Sequence, residues 1–274
     1  MTEKDHPPIS VCVPTKNAAD TIERCLQSAH GIADEIVVLD SNSTDGTRDI
    51  CRQYGADIRD HNFTGFAALR RALLDAASND WVLLLDADEA LSDELVTELE
   101  TELSKDDDCV AYYIPKTVRM FGSWVQIGRA PLPWLGRKDA LEITDNYVHE
   151  KPQVRPEYED QTRICANVIQ HYSFENVSDH LEKTDQYTSL EALDVVESDS
   201  SPTFARYLVR AFGVFWSRLL LRKGILDGFA GVFFAFASMQ YELVTYAKIR
   251  ELQDLQVKDP KGWKAQWVEN RCQR

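Results

Sequence analysis

Between Ile9 and about Pro115, short apolar runs alternate with stretches of helical spacing, and this order constrains the fold more than any other feature. The runs are Ile9 to Val13, Glu35 to Leu39, Trp81 to Leu85 and Val110 to Ile114. They are apolar on both parities, as strands covered on both faces must be, which predicts a parallel α/β sheet. Between them, the stretch from Ala18 sets Ile22, Cys25, Leu26 and Ala29 at helical intervals, and Asp45 to Tyr54 and Gly65 to Ala77 predict two more helices. A βαβα order implies right-handed crossovers. Ligands of such sheets lie beyond the carboxyl ends of the strands, so the polar residues directly after each run are the candidates for a site.

The remaining 160 or so residues read differently, and a chain of 274 residues has room for about two domains. From about Tyr112 to Arg163 the pattern breaks into Gly, Pro and Trp, consistent with irregular β structure and loops over a cleft. Val177 to Val196 regains helical periodicity, Ser198 to Pro202 interrupts it, and Phe204 to Glu251 is aromatic and basic. We therefore expect a catalytic domain at 1–175 and a helical C-terminal region at 176–274. Phe204 to Glu251 holds seven basic and three acidic residues inside a chain of net charge -15, so charge is segregated. That net charge disfavours a nucleic-acid partner. The 44% hydrophobic and 27% charged content excludes wholesale disorder and a polytopic membrane protein. Six cysteines without CxxC spacing fit a reducing compartment, and MTEKDHPPIS lacks the basic start and apolar stretch of a signal peptide. The expected location is cytoplasmic, or peripheral on the inner face of the plasma membrane.

The longest uncharged stretch after residue 204 lies between Asp227 and Glu242, short of the ~20 residues that span a bilayer. Its aromatics, Phe229, Phe233, Phe234 and Phe236, with Tyr241 and Tyr246 beyond, join Arg206, Arg210, Arg218 and Arg222 in suiting helices that lie on an anionic membrane surface. The plainer reading is a helical pair packing its apolar faces on the catalytic domain or a second subunit.

Trp81 to Leu85 runs straight into Asp86-Ala87-Asp88-Glu89. With the period of two of an extended strand, Asp86 and Asp88 are expected to project to one side at its carboxyl end. Two like charges at 4 Å cost about 4 kcal/mol at an effective dielectric of 20, so a phosphate shares this spot only with a divalent cation between. Mn2+ or Mg2+ held by these carboxylates and diphosphate oxygens meets that need. The plainer reading is that acidic residues merely end a strand and start the helix near Ser92. Two other runs end in Pro14-Thr15-Lys16-Asn17 and in Asp40-Ser41-Asn42-Ser43-Thr44-Asp45-Gly46-Thr47. Asp40 can accept hydrogen bonds from a ribose or base, and Thr15 and Asn17 can meet base or diphosphate, while Asp45 reads as a helix N-cap. Neither GxGxxG nor GxxxxGK[ST] occurs at these turns, which speaks against a dinucleotide oxidoreductase and a P-loop NTPase.

PTKN (Pro14 to Asn17), DSNSTDGT (Asp40 to Thr47) and LLLDADE (Leu83 to Glu89) together resemble the family 2 glycosyltransferases of GT-A fold. Val148-His149-Glu150, His171-Tyr172-Ser173 and Lys223 to Gly228 are similar to the lipopolysaccharide-core branch, and the resemblance spans about residues 9 to 250. It implies an α/β, Rossmann-like, mostly parallel sheet flanked by helices, with a C-terminal helical extension. It also implies an inverting transfer from a nucleotide diphosphate sugar donor to a cell-envelope glycan or lipid-linked acceptor. On it, Asp86 and Asp88 hold the metal, and the substrate-binding positions are Pro14, Thr15, Asn17, Asp40, Arg70, Asp86, Ala87, Trp134 and His149. Glu150 is the candidate base that takes the acceptor hydroxyl proton. Arg70 and Arg71 also read as an ordinary solvated pair on a helix, and His149 as a structural hydrogen-bonding residue.

Two departures stand out. Ala18 follows Asn17 where the family commonly has Glu, and Trp134-Leu135-Gly136-Arg137 stands where relatives tend to have Arg-Leu-Phe-Arg. Trp134 can stack on a sugar ring or pack in the core. The lost Arg keeps open a non-catalytic sugar-nucleotide-binding or membrane-scaffold protein of the same fold. A third reading takes Asp86 and Asp88 as the nucleophile and acid of a haloacid-dehalogenase-type phosphatase, which expects them after the first strand, followed two residues later by Thr or Val. Here they follow a later run, and Ala90 stands in that place.

Overall fold

The computed structural model describes residues 5–63, 65–105, 107–126, 130–144, 151–174, 176–198 and 202–259, with 262, 264 and 267. The chain divides into two compact units. The first comprises residues 1–118, 129–145 and 150–173, and the second 119–128, 146–149 and 174–274.

The first unit begins with β1 (Ile9–Thr15), α1 (Ile22–Ala29), β2 (Glu35–Asp40), α2 (Thr47–Gln53), β3 (Asp57–Asp60), α3 (Phe66–Ala76) and β4 (Trp81–Leu84). The pattern of runs apolar on both parities is realised as buried strands: Ile9, Val11, Cys12, Val13, Val37, Val38, Leu83 and Leu84 are all enclosed. The chain continues with β5 (Glu89–Leu91), α4 (Asp93–Leu103), β6 (Ala111–Ile114), β7 (Lys116–Met120), β8 (Ser123–Gln126), β9 (Leu132–Arg137), β10 (Leu141–Ile143), β11 (Pro152–Val154), β12 (Thr162–Ile164) and β13 (Ile169–Phe174), of which β8 belongs to the second unit. β7 runs across the boundary between units and turns at Phe121 and Gly122, both at positive φ, into β8.

The main sheet has the order β12-β6-β9-β4-β1-β2-β3. β3, β2, β1 and β4 are mutually parallel, and β9 alone is antiparallel to both its neighbours. The chain moves outward from β1 through β2 to β3, then crosses back through α3 to β4 on the other side of β1. That reversal is the switch point where the carboxyl ends of neighbouring strands part to leave a crevice. In the region expected to hold irregular β structure and loops, β9 is a central strand carrying Pro133, and a register shift opposite Tyr112 and Tyr113 accommodates it. A second sheet, of order β5-β13-β7-β8, places β13 between β5 and β7, with His171 opposite Glu89.

The second unit is built on α5 (Val177–Glu197), α6 (Phe204–Trp216) and α7 (Gly228–Lys258). Asn176 caps α5 by accepting from the Asp179 N–H, and Thr203 caps α6 by accepting from the Arg206 N–H. Ala192, Leu193, Tyr207, Ile249 and Leu252 form its core. Lys248 of α7, buried, donates to the Asp185 carboxylate, Thr188 Oγ1 and Ser189 Oγ of α5 at 2.7–2.8 Å, so its charge is satisfied inside the bundle. Met120 and Val125 of the β7–β8 hairpin pack with Ala230 of α7.

Candidate active site

Thr15 and Asp40 end β1 and β2 and are register partners. The Asp40 side chain is buried, and its Oδ2 accepts from the Ser43 N–H at 3.1 Å and from Arg48 at 3.0 Å. Its Oδ1, with Thr15 Oγ1 and Ser41 Oγ, is buried without a hydrogen-bond partner among the described residues. The Ser41 N–H donates to the Thr15 carbonyl at 2.8 Å, which draws the three residues together. A buried polar atom left unpaired costs about 1–3 kcal/mol, so three in one place at a strand-end crevice mark a spot for a ligand carrying both donors and acceptors.

The loops after β1 and β2 are fastened to each other. Asn17, at φ 48°, accepts from the Thr44 N–H through Oδ1 at 2.8 Å and donates its own N–H to Ser43 Oγ at 2.8 Å. Thr47 Oγ1 accepts from the Ala18 N–H at 2.8 Å, and Asp45 from the Ala19 N–H at 3.1 Å. Asp45 is thus a clasp between loops, and its Oδ1 also accepts from the Thr47 N–H at 3.0 Å at the start of α2, the bond expected of a capping side chain, with Gly46 between the two.

β4 ends at Leu84, and the Asp86-to-Glu89 segment is a turn closed by the Glu89 N–H on the Asp86 carbonyl at 2.9 Å. The strand alternation expected for the two aspartates therefore does not apply, and each meets a different partner. Arg70, buried on α3, donates to both oxygens of Asp86 at 2.9 and 3.1 Å. Asp88 Oδ1 lies 3.2 Å from His171 Nε2, and the Tyr172 N–H donates to the Asp88 carbonyl at 2.8 Å. Burial opposes the charge of Asp86, but Arg70 and Lys116 outweigh it and hold its carboxyl below the ordinary range. Burial likewise favours the neutral ring of His171, yet Asp88 and Glu89 outweigh it and raise its proton affinity.

Glu89 ties these groups into one cluster. It is 1% exposed, accepts from the Asp86 N–H at 3.1 Å and from Lys116 Nζ at 2.5 Å, and stands 3.7 Å from His171 Nδ1. Lys116 in turn sits 3.2 Å above the Trp134 ring, with the Arg70 guanidinium 5.4 Å from the same ring. Trp134 is the extra residue at the irregularity in β9, since Tyr113 pairs with Pro133 and Tyr112 with Leu135. A bulge there aims a largely buried indole at two cations.

The sequence-derived positions thus fall into three groups. Thr15 and Asp40 meet at the strand ends, and Arg70, Asp86, Asp88 and Trp134 form the acidic and cationic cluster. Pro14 and Ala87 are half-buried and apolar, and the side chain of Asn17 is engaged by Thr44. His149 and Glu150 lie outside the described residues. Sequence reasoning missed Ser41, Glu89, Lys116 and His171 as site residues. Ser41, Glu89 and His171 were visible inside the quoted motifs, without a role given to them, whereas Lys116 stood in none; Lys116 and His171 reach the site through the second sheet. Among the described residues, no group of three or more His, Cys, Asp and Glu side chains forms a cation cage by itself.

Residues 10–173 match the family Glycosyl transferase family 2, and the chain belongs to that family: it is a glycosyltransferase. This removes the phosphatase reading. An uncharacterized glycosyltransferase of Rickettsia bellii is 28% identical over 262 residues, covering 89% of this chain and 86% of that one. The lipopolysaccharide core biosynthesis glycosyltransferase LpsC of Rhizobium meliloti is 28% identical over 260 residues, covering 88% and 92%. Among solved structures, glucosyl-3-phosphoglycerate synthase of Mycobacterium tuberculosis in complex with Mn2+, UDP and glucosyl-3-phosphoglycerate aligns at TM-score 0.47 and 18% identity, covering 72% of this chain and 82% of that one.

Proposed function

We propose that this glycosyltransferase moves a sugar, with inversion at its anomeric carbon, from a nucleotide diphosphate sugar to a cell-envelope glycan or glycolipid of lipopolysaccharide-core type. The observation that carries the donor assignment is the trio of buried, unpartnered atoms on Thr15, Asp40 and Ser41. A nucleoside supplies ribose and base donors and acceptors that match them. The acceptor class rests on the similarity to LpsC and on the sequence motifs of that branch.

The diphosphate belongs beside the acidic cluster, and its charge requires compensation there. A carboxylate with an imidazole nitrogen, as Asp88 and His171 present, fits Mn2+ or Mg2+ when diphosphate oxygens complete the shell. Such a cation supplies neutralisation of the charge developing on the departing diphosphate. Asp86, expected as a second ligand, has both oxygens on Arg70, so its role here is to fix that guanidinium towards the donor. Trp134 serves as a platform for Lys116 and Arg70. Glu150 removes the acceptor hydroxyl proton while that oxygen attacks the anomeric carbon, and the bond to the diphosphate breaks on the opposite face. His149, which precedes it in the sequence, is assigned to the diphosphate; both assignments rest on the His-Glu segment of the family resemblance.

The test is release of free nucleoside diphosphate from a panel of sugar nucleotides with Mn2+, paired with calorimetric binding of the same donors. The wild type is expected to bind and release, Asp88→Ala to lose release, and Glu150→Gln to keep donor binding while losing transfer. Donor binding without release by the wild type identifies a non-catalytic binder. No uptake of any donor overturns the proposal.

A further inference from the structure

The exposed apolar side chains of the second unit are not scattered. Val209, Phe212, Trp216 and Leu220 recur three or four residues apart, forming one stripe along the outer side of α6 and the π-helical turn (Ser217–Leu221) that prolongs it. Beyond it Leu221, Leu226 and Phe229 are 82, 76 and 75% exposed, and Ile225 is exposed between them. A contiguous apolar surface of this kind marks a contact with something other than water. Its outward direction is built in by the backbone. A Cβ on Gly224 would lie 2.7 Å from the Arg218 carbonyl oxygen, and one on Gly231 2.0 Å from that of Gly224, so the connecting loop lies directly on α7. Phe233 and Phe234, expected on the outside, instead pack with Met120, Val125 and Ala230, and Tyr246 packs against the Tyr207 ring at 5.3 Å.

Charge identifies the occupant. Residues 204–223 hold Arg206, Arg210, Arg218, Arg222 and Lys223 and no acidic residue, in a chain of net charge -15. Arg210 pairs with Glu242 at 3.1 Å and Arg218 lies over the Phe234 ring at 4.2 Å, while Arg206, Arg222 and Lys223 are exposed beside the stripe. Cations around an apolar tip meet the two demands of an anionic bilayer surface, headgroup charge outside and acyl chains beneath. No helix among the described residues is long and apolar enough to cross a membrane. We propose that the segment from Val209 to Phe229 is a wedge that inserts shallowly into an anionic leaflet, and this holds independently of the donor and metal assignments above.

The experiment is flotation of the full chain with phosphatidylcholine vesicles, with and without phosphatidylglycerol, at low and high salt. Expected are binding that requires the anionic lipid, weakening with salt, and a loss of roughly tenfold or more in Leu221→Glu/Leu226→Glu, which removes two inserted side chains. Arg222→Glu/Lys223→Glu should abolish the lipid-charge dependence. All four positions are exposed, and unchanged melting of the variants confirms their folding. The proposal is overturned by failure of the wild type to bind anionic vesicles, or by equal binding of the leucine variant. It is also overturned if light scattering shows a dimer that the leucine variant dissolves while vesicles are ignored, because the stripe then joins two copies of the chain.

Discussion

Glu89 is more enclosed than either aspartate beside it, its side chain 1% exposed against 28% for Asp86 and 25% for Asp88. One enclosed carboxylate receives the Asp86 N–H and Lys116 and faces His171. Removing it leaves Lys116, itself only 13% exposed at the side chain, without its counter-charge. Breaking a buried ion pair from one side costs about 3–5 kcal/mol, so Glu89→Ala is expected to lower stability by that order in a urea titration. Asp88 is different, being partly exposed and directed at His171. Asp88→Asn should leave the metal-free melting temperature nearly unchanged while erasing the rise that Mn2+ gives the wild type, a readout free of turnover. The DADE motif was legible because carboxylates at the end of an apolar run are a local signal. The place of Lys116 and His171 in the site was not, although His171 stood in a quoted motif, because their arrival depends on β13 pairing with β5 and lying beside β7, a register that no local pattern encodes.

At the level of elements, two glycines of the second unit make opposite predictions. Gly213 sits inside α6 with open space where its Cβ would be, so Gly213→Ala should stabilise by about 0.5–1 kcal/mol through helix propensity. Gly231 in α7 meets the Gly224 carbonyl oxygen and Asp227 Cβ, so Gly231→Ala should destabilise by about 1–3 kcal/mol by forcing the loop off the helix. Paired thermal melts check both signs. Elements with a strong apolar signature were readable: β1, β2, β4 and β6 fall within a residue or two of the runs that announced them. β3, with the sequence Asp-Ile-Arg-Asp, was missed because an edge strand exposed to water needs only one apolar side chain. β9 was missed because Pro133 and Gly136 look like loop punctuation, although the bulge tolerates the first. A Cβ on Gly136 would lie 3.0–3.1 Å from Leu141 and Ala111, so a larger residue there requires those side chains to shift.

Across the whole molecule, the two units differ in how they are held. Among the described residues, the first has one continuous apolar cluster from Ile9 to Ile169, whereas the second has two small ones. Hydrogen exchange should therefore show slower amides in β1 and β4 than in α6. The second unit also carries an acid sensitivity. Burial alone pushes His180 below its ordinary value of 6.5, so below that pH the unfolded chain takes up a proton that the folded one refuses. Stability should fall as pH drops through about 6.5 and level off below the folded-state value. His171 acts in the opposite sense, its raised affinity favouring the folded state at low pH, so the readout is the difference between wild type and His180→Gln.

The clasp between the loops after β1 and β2 bears on how a donor arrives. Asn17, Ser43, Thr44, Asp45 and Thr47 are committed to one another across the crevice mouth, and two of its asparagines, Asn17 and Asn42, hold left-handed conformations. On the proposed donor assignment, a nucleotide entering there finds walls that need no freezing. Recognition by a rigid mouth should appear as fast, nearly temperature-independent capture, with the slow events of the catalytic cycle reserved for the acceptor side.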